Sequence, residues 1–387
     1  MRNFGKFCIF PNLAGPVMTD SFSSPRLREP YPFDIPLILD ALSSGRHPVI
    51  AVVGDYCLDK YLFIDAQLEE PSVETGLPAH QVRRKGIFPG VAGTIANNLA
   101  ALGAEVRAVG LCGEDGEGFE LIRALEERKI DTSGMVRDPS LFTSTYIKPI
   151  YEKDGAAREL SRLDIRNSAP APQAALGRVK EALRQIVPEC CAVVIADQFT
   201  FQAGSVLGGD IPDLLAEMAG ADPHRFFMAD SRSNGARYRN TLIKCNASEL
   251  LDLVNRLDHP DAQALVGADA SADRNLDALL DAGGRLAHRN GTAVFVTRGA
   301  EGAILFEPDS RPVLIPAIPV QSPIDICGAG DATNAGLSFS RALGLPLAES
   351  ALVASAVSSI TIKQIGVTGT ASLDEVCGVL RGYCQKG

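Results

Sequence analysis

The chain has 387 residues, a formal net charge of −10 at pH 7 and 46% hydrophobic residues, which suits one large α/β domain that folds without disulfides. This acidity argues against a nucleic-acid partner, because phosphate backbones are bound by clustered Lys and Arg. The nine cysteines lack metal-type spacing and are typical of reduced thiols. No apolar run reaches the roughly 18 residues of a membrane span, so we expect a cytoplasmic protein without a membrane partner.

The chain begins with a proline-containing stretch of low periodicity, residues 1–33. It predicts an N-terminal extension outside the fold, either disordered or the product of too early a start. Residues 34–387 are expected to form the folded domain, which begins with a short helix over 35–42. The run PVIAVVGD at 48–55 follows, and its continuous apolar character is typical of a strand that is buried on both faces of a parallel sheet.

Apolar strands then recur along the chain and alternate with amphipathic stretches of helix length. The predicted strands are 106–113, 191–197, 225–230, 241–246 and 292–299, and the predicted helices between them include 118–129, 175–187 and 271–289. This alternation predicts a doubly wound α/β sheet that binds its ligands at the carboxyl ends of the strands. Asp55, Asp197, Asp230 and Asn246 all fall at such ends.

Two segments interrupt this pattern, at about 60–88 and 142–163. They are richer in polar and β-forming residues, and the second contains an Asp-Gly pair at 154–155 that suits a hairpin turn. We interpret them as a small accessory sheet that lies over the ligand end of the main sheet as a lid.

The stretch DICGAGDATNAG, residues 325–336, places a carboxylate directly behind a Gly-Ala-Gly turn at the start of a predicted helix. Backbone N–H groups and the positive end of the helix dipole can bind an anion at such a turn, and phosphate is the natural candidate. A carboxylate beside that phosphate would accept the proton of an attacking hydroxyl. A plain capped helix is the alternative interpretation, and the Walker-type G-x-x-x-x-G-K-[ST] loop is absent from the sequence.

This stretch resembles the C-terminal signature of the PfkB/ribokinase family of carbohydrate kinases, D-[TV]-x-G-A-G-D. The resemblance covers roughly residues 48–382. It implies a ribokinase-like three-layer α/β/α domain with a mostly parallel central sheet, a small β-sheet lid and ATP as phosphoryl donor. It assigns Asp331 as general base and the amides of Cys327, Gly328, Ala329 and Gly330 as an anion hole for the transferring phosphoryl group.

The segment KCNASEL resembles the N-x-x-E element of the same family. Asn246 and Glu249 would then organise Mg2+ and its waters around the phosphates. An N-cap followed three residues later by a first-turn Glu is the structural alternative. The resemblance leaves a requirement for a monovalent cation such as K+ open.

The nucleotide side is represented by VTRGAEGAILF, which is similar to the family's T-[KR]-G-x-x-G segment. The resemblance places four residues near the phosphates and ribose: Thr297, Arg298, Gly299 and Gly302. Without it, the segment is a strand, a tight turn and another strand. A small-residue helix at 351–364 would flank the adenine, which proposes Ala356 and Ser359 for that pocket, with core packing as the alternative for each.

The substrate side looks most like kinases that act on heptose 7-phosphate in ADP-heptose synthesis. The similar stretches are VVGDYCLDKYLF, FPGVAGTIANNLAALGA and KQIGVTGTAS. By this resemblance Asp55 and Asp59 bind sugar hydroxyls, with Gly90 and Asn98 nearby. No H-x-G-H element follows in the sequence, so we expect no adenylyltransferase unit.

Two loops depart from that subgroup. Its R-P-G-G-A-A-N is FPGVAGT at 88–94 here, and its D-Y-x-K-G is DQFTF at 197–201, so an Arg and a Lys are missing. The substrate could therefore be different or unphosphorylated. Alternatively, cations of the lid could clamp a phosphate, although a solvated face is the commoner role for such charges: Arg83, Arg84, Lys85, Lys148 and Arg162.

Three further interpretations concern the reactivity of Cys327, the oligomeric state and the alternative functions of the protein. A thiol at a helix N-terminus can have a lowered pKa, which would make Cys327 a reactive site. Open lid edges favour a homodimer through the lid. The alternative functions are a dinucleotide-dependent oxidoreductase, which would need a G-x-G-x-x-G that GDYCLD lacks, and a sugar- or nucleotide-binding regulatory protein that has lost catalysis.

Overall fold

The computed structural model describes residues 31–153, 156–199, 204–232, 234–259 and 276–384. Four predicted features lie wholly or partly outside these ranges: most of the N-terminal extension, the Asp-Gly turn at 154–155, the end of the loop at 197–201 and the start of the helix predicted over 271–289. The described strands, in chain order, are β1 (Val49–Gly54), β2 (Tyr56–Asp65), β3 (Glu70–Pro71), β4 (Pro78–Ala79), β5 (Val82–Val91), β6 (Glu105–Gly113), β7 (Asp131–Asp138), β8 (Thr145–Lys153), β9 (Ala156–Glu159), β10 (Leu163–Ile165), β11 (Ala192–Asp197), β12 (Phe226–Ser231), β13 (Leu242–Asn246), β14 (Val294–Thr297), β15 (Ala303–Phe306) and β16 (Val313–Ile315).

The helices surround the strands at the spacing that the sequence predicts. In chain order they are α1 (Ile35–Leu42), α2 (Ala92–Ala101), α3 (Gly116–Glu126), α4 (Gln173–Ile186), α5 (Ile211–Ala221), α6 (Ala247–Asp258), α7 (Leu276–Asn290), α8 (Ala329–Ala342), α9 (Leu347–Thr361) and α10 (Leu373–Cys384). None of these described helices combines the length and the apolar character that a membrane crossing requires.

The central sheet has nine strands in the order β16-β15-β14-β13-β12-β11-β1-β6-β7. The seven strands from β14 to β7 pair in parallel, and β15 runs antiparallel to both of its neighbours. The predicted mostly parallel α/β sheet is confirmed. Because parallel strands share one direction, β1, β11, β12 and β13 present the residues that follow them at the same edge of the sheet.

Three layers arise because side chains alternate across each strand. In β1, Ile50 and Val52 lie in one apolar core with α1, α2, α8, α9 and α10. Ala51 and Val53 lie in the other core with α4, α5, α6 and α7. A strand that is apolar at every position is therefore needed to cover both faces of the sheet.

A second, five-stranded sheet contains β10-β8-β2-β5, with β9 paired to β8. Its strands extend beyond the predicted segments, since β2 begins at Tyr56, β5 ends at Val91 and β10 ends at Ile165. Tyr61, Ile150 and Ala157 form a small core of its own.

The start of the domain also lies slightly earlier than residue 34. Tyr31 and Phe33 pack against the core, and the Tyr31 hydroxyl donates to Glu349 Oε1 at 3.1 Å. Residues 31–33 therefore belong to the folded body, because their aromatic rings cover apolar surface.

Candidate active site

The Gly-Ala-Gly turn forms the amino end of α8. Gly328 is the N-cap, with φ +77° and ψ +3°, a left-handed conformation that favours glycine. A Cβ on Gly328 would lie 3.4 Å from side-chain carbons of both Thr94 and Thr368. The turn is therefore enclosed between α2 and the segment that precedes α10.

The four amides predicted for the anion hole differ in their hydrogen bonding. The Cys327 N–H donates to Asp325 Oδ1 at 3.0 Å, and the Ala329 N–H donates to the Ile326 carbonyl at 3.1 Å. Within the described chain, the N–H groups of Gly328 and Gly330 have no partner. Of the four predicted amides, only those of Gly328 and Gly330 are free to bind an anion in this conformation. The predicted anion hole is therefore reduced from four amides to two.

Asp331 lies in the first turn of α8 and is partly exposed. Burial, together with the neighbouring charge of Asp230, raises its pKa to about 7, although Lys244 and Arg232 act in the opposite direction. Its carboxylate has no hydrogen-bond partner among the described residues. An unbonded carboxylate with a pKa near neutrality can accept a proton under physiological conditions.

A buried ion pair lies beside Asp331. Lys244 Nζ is 2.8 Å from Asp230 Oδ2, and Asn334, three residues after Asp331 on α8, donates to the same oxygen at 2.7 Å. A Cβ on Gly330 would lie 3.1 Å from Lys244 Nζ, so the glycine lets the turn approach this ammonium. Lys244 and Asn334 are not among the predicted site residues, although they lie within the motifs KCNASEL and DATNAG.

Asp55 follows β1 and is only 2% exposed. Its Oδ2 accepts from the backbone N–H groups of Gln198 at 3.1 Å and Phe199 at 2.8 Å, and its Oδ1 accepts from Ser205 Oγ at 2.7 Å. Burial raises its pKa to about 7 despite these bonds. The predicted contact with a sugar hydroxyl would require this buried carboxylate to become accessible, because three of its roughly four acceptor sites are already used within the protein.

Asp59 lies on the second sheet and forms an ion pair with Lys148, at 2.7 Å between Oδ1 and Nζ. Each side chain is 14% exposed. Lys148 also donates to the Tyr61 hydroxyl at 3.1 Å. A Cβ on Gly90 would lie 2.8 Å from Asp59 Oδ2 and 2.6 Å from Cys57 Sγ. Gly90 is thus needed so that β5 can approach the Asp59 carboxylate.

Asn98 and Arg162, the remaining predicted substrate residues, both form hydrogen bonds to other protein groups. Asn98 is fully buried, and its Nδ2 donates to the carbonyls of Thr94 at 3.0 Å and Gly369 at 3.2 Å. It therefore braces α2 against the segment before α10. Arg162 is exposed and forms a two-bond contact with Asp164, at 2.7 and 2.9 Å, so two of its donors are already engaged.

Asn246 and Glu249 form a capping box at the start of α6. Asn246 Oδ1 accepts from the Glu249 N–H at 2.8 Å, and Glu249 Oε2 accepts from the Asn246 N–H at 2.8 Å. The structural alternative for this motif is therefore present. The hard oxygen donors still suit Mg2+, with Glu249 Oε1 not used by the box, but the described residues contain no cluster of three or more metal-binding side chains.

The predicted nucleotide segment is the tight connection from β14 to β15. Gly299 and Gly302 have φ values of +56° and +81°, and the Arg298 N–H donates to the Gly302 carbonyl at 2.7 Å. The Arg298 side chain is 4% exposed and pairs with Glu301. Its Nε and Nη1 are buried without a partner in the described structure, which is the kind of unsatisfied donor that a phosphate or ribose oxygen would complete.

The two residues that the resemblance places beside the adenine lie on α9 and are buried. Ala356 is fully buried in the apolar core, and Ser359 is 4% exposed with its hydroxyl donating to the Ala356 carbonyl at 2.8 Å. This burial favours core packing, the alternative interpretation of both residues. On α9, Ser355 and Ser358 are more accessible.

The surroundings of Cys327 argue against a reactive thiol. The residue is exposed, but burial of its thiol against the site is the main cause that raises its pKa, with Asp325, Asp59 and Asp331 adding to the rise and Lys148 opposing it. Neighbouring carboxylates disfavour a thiolate. Cys327 itself precedes the N-cap of α8, and its N–H is already bonded to Asp325.

Solved structures with the same architecture identify the fold. Ribokinase from Arabidopsis thaliana, solved with ribose and ATP, superposes with a TM-score of 0.60 at 18% identity, covering 87% of this chain and 99% of that one. Phosphofructokinase-2 from Escherichia coli, solved with potassium, superposes with a TM-score of 0.64 at 17% identity, covering 87% and 99%. The predicted ribokinase-like fold is therefore confirmed.

The family follows from the sequence. The model of the pfkB family of carbohydrate kinases matches residues 50–198 and 222–373, and the chain belongs to this family. It is 30% identical over 332 residues to the bifunctional protein HldE of Geobacter metallireducens, covering 84% of this chain and 62% of that protein. The HldE of Bradyrhizobium diazoefficiens is 29% identical over 344 residues, covering 87% and 64%. The chain thus spans less than two thirds of either relative.

Proposed function

We propose that this protein is an ATP-dependent kinase that transfers the γ-phosphoryl group to a hydroxyl of a sugar or a sugar phosphate. The proposal rests on Asp331. The other carboxylates at this end of the sheet or along the turn each have a partner: Asp55, Asp59, Asp197, Asp230, Glu249 and Asp325. In the described structure Asp331 alone of this group is unbonded, so all of its lone pairs are available for a proton.

In this mechanism Asp331 accepts the proton of the acceptor hydroxyl as that oxygen forms a bond to the γ-phosphorus. The bond from the γ-phosphorus to the bridging oxygen of ATP breaks, and ADP leaves with those electrons. The N–H groups of Gly328 and Gly330, at the positive end of α8, stabilise the charge of the transferring group. Holding the two reactants together contributes most of the remaining acceleration.

Magnesium would neutralise phosphate charge in this reaction, with Asn246 and Glu249 holding it mainly through water. The capping box limits direct ligation by Asn246, because its Oδ1 already accepts from Ser248 Oγ and the Glu249 N–H. Arg298 and the accessible face of α9 would contact the nucleotide. Replacing K+ by a large organic cation in the assay tests the open question of a monovalent-cation requirement.

The substrate class is proposed from the resemblance to heptose 7-phosphate kinases and from the second sheet. Asp59 and Lys148 of this sheet supply an acceptor and a donor, and both influence the pKa of Cys327 beside the turn. This influence supports a lid that binds a polyol and excludes water.

Turnover of ATP with a panel of acceptors tests the function. Free hexoses, heptoses, pentoses and nucleosides are compared with their phosphates by ADP release, with Asp331→Asn as the inactive control. Saturable turnover with one acceptor, lost in the control, supports the proposal. ATP binding without turnover of any acceptor would contradict it and favour a non-catalytic binding protein.

We further propose a cytoplasmic homodimer that forms through the second sheet. The edge strands β5 and β10 carry exposed apolar side chains, Val82 at 41% and Leu163 at 59% exposure, and an open edge can pair with a second copy. Sedimentation velocity of the wild type and of Leu163→Glu tests this, and a wild type that stays monomeric at micromolar concentration would contradict it.

A further inference from the structure

Arg232 follows β12 directly, at the ligand edge of the sheet, and its side chain is exposed. Its Nε donates to Gln198 Oε1 at 2.8 Å, and its backbone N–H donates to the Asp197 carbonyl at 3.1 Å. Hydrogen bonds therefore hold both the Nε atom and the backbone N–H of Arg232. Its two terminal nitrogens have no partner in the part of the chain that the structure describes.

Gln198 is half-buried and donates three hydrogen bonds to two aspartates. Its Nε2 donates to Asp230 Oδ1 at 2.9 Å and to the Asp230 carbonyl at 3.1 Å, and its backbone N–H donates to Asp55 Oδ2 at 3.1 Å. These acceptors fix which side of the amide carries the nitrogen, so Oε1 faces Arg232. The amide thus links the buried Asp230–Lys244 pair to the arginine.

Several other arginines of the described chain differ from Arg232 in their pairing. Arg162 and Arg166 share Asp164, and Arg237 pairs with Asp213 at 2.8 Å. Arg232 is oriented by a neutral amide, so its positive charge is not cancelled by its partner. That charge acts on the phosphoryl site, since it lowers the pKa of Asp331.

A guanidinium that is held at Nε leaves two coplanar N–H-bearing nitrogens, a geometry that matches two oxygens of a phosphoryl group. We propose that Arg232 contacts phosphoryl oxygens in the active site and that Gln198 is the positioning residue that aims it. The inference rests on the proposed kinase function. The phosphoryl group could belong to the γ-position of ATP or to a phosphorylated acceptor, and the experiment separates these sources.

The test compares Arg232→Gln and Arg232→Lys with Gln198→Met, which keeps the length of the side chain and removes its amide. Arg239→Gln is the matched control, because Arg239 is exposed in the same connecting segment and the described structure gives its side chain no partner. Thermal melting of each variant shows that the fold is retained.

We expect Arg232→Gln to lower kcat/KM by about 10- to 100-fold, with Arg232→Lys recovering only part of the loss because it lacks the planar fork. Gln198→Met should act on the same kinetic parameter, and the double variant should be no worse than Arg232→Gln. If the γ-phosphoryl is the partner, kcat falls for every acceptor. If the acceptor phosphate is the partner, KM rises only for phosphorylated acceptors and inorganic phosphate competes with them.

Binding measurements keep the two proposals separate. Calorimetric titration with ATP and with inorganic phosphate does not require turnover, so a loss of affinity for either in Arg232→Gln, absent in Arg239→Gln, supports the assignment even if no acceptor is found. An active wild type whose Arg232→Gln variant matches the Arg239→Gln control in turnover and binding would overturn the assignment and leave the kinase function standing.

Discussion

Asp55 and Asp331 lie at the same end of the molecule, one after the first strand and one at the start of α8. Burial raises the pKa of each to about 7. Asp55 accepts three hydrogen bonds from the loop after β11, whereas Asp331 has no partner in the described structure. Elevated pKa alone therefore does not identify a reacting group; available lone pairs distinguish the base from the structural carboxylate.

The largest expected effect is on catalysis at Asp331. Asp331→Asn should lower kcat by a factor on the order of 10² to 10⁴, the usual contribution of a positioned base, because the amide cannot take the proton. ATP binding, measured by calorimetry, should remain close to that of the wild type. Near-wild-type turnover in this variant would show that Asp331 is not the base, and Asp331 and Asp55 would then not differ in catalytic role.

The second effect is on folding at Asp55. Asp55→Ala leaves two backbone N–H groups and the Ser205 hydroxyl without their acceptor, and each buried unsatisfied group costs about 1–3 kcal/mol. We expect the free energy of unfolding in urea to fall by roughly 2 kcal/mol or more. Asp331→Ala is the matched control, and an equal loss there would show that Asp331 also has a structural role.

The third effect is a dependence of stability on pH. The folded-state pKa of both carboxylates lies above the value of 3.8 for the free side chain, so folding favours their protonated forms. Their contribution to stability is complete below pH 3.8 and is lost as pH rises through about 7. The melting temperature of Asp331→Asn relative to the wild type should therefore be higher at pH 8 than at pH 5, and a constant difference would contradict this.

A smaller effect is expected on the second sheet. Gly90→Ala places a methyl group against Asp59 Oδ2 and Cys57 Sγ, so we expect it to displace the Asp59 carboxylate and raise KM for the acceptor by about threefold to tenfold, roughly 1 kcal/mol. Gly177→Ala in α4 is the control, since its Cβ meets nothing within 4 Å. Unchanged acceptor KM in Gly90→Ala would separate Asp59 from substrate binding.

Much of the architecture was predictable because it depends on local patterns. Continuous apolar runs identified the buried strands, and the observed β1, β11, β12 and β13 end within one residue of their predicted ends. The GAGD turn located Asp331 for the same reason, since glycines, carboxylate and helix start are adjacent in the chain. The segments predicted for the second sheet are shorter than its observed strands. The apolar residues at the ends of these strands resemble the sequence of main-sheet strands.

The rest of the site depends on distant segments. Gln198, Asp230, Lys244 and Asn334 come from four elements, and no single motif shows that they share hydrogen bonds. The residues predicted to contact the adenine lie on the buried face of α9. Small or apolar residues occur on all sides of this helix, so its sequence does not show which side is buried. Asn246 and Glu249 satisfy a capping box whose residues are the same as those of the predicted metal motif.

The pH dependence of kcat/KM tests the role of Asp331 most directly, because it reports the pKa of essential groups in the free enzyme. We predict that kcat/KM of the wild type rises with pH, with a midpoint at about 7. The residual activity of Asp331→Asn should not show this rise. A rise that persists unchanged in Asp331→Asn would show that another group accepts the proton and would contradict the account.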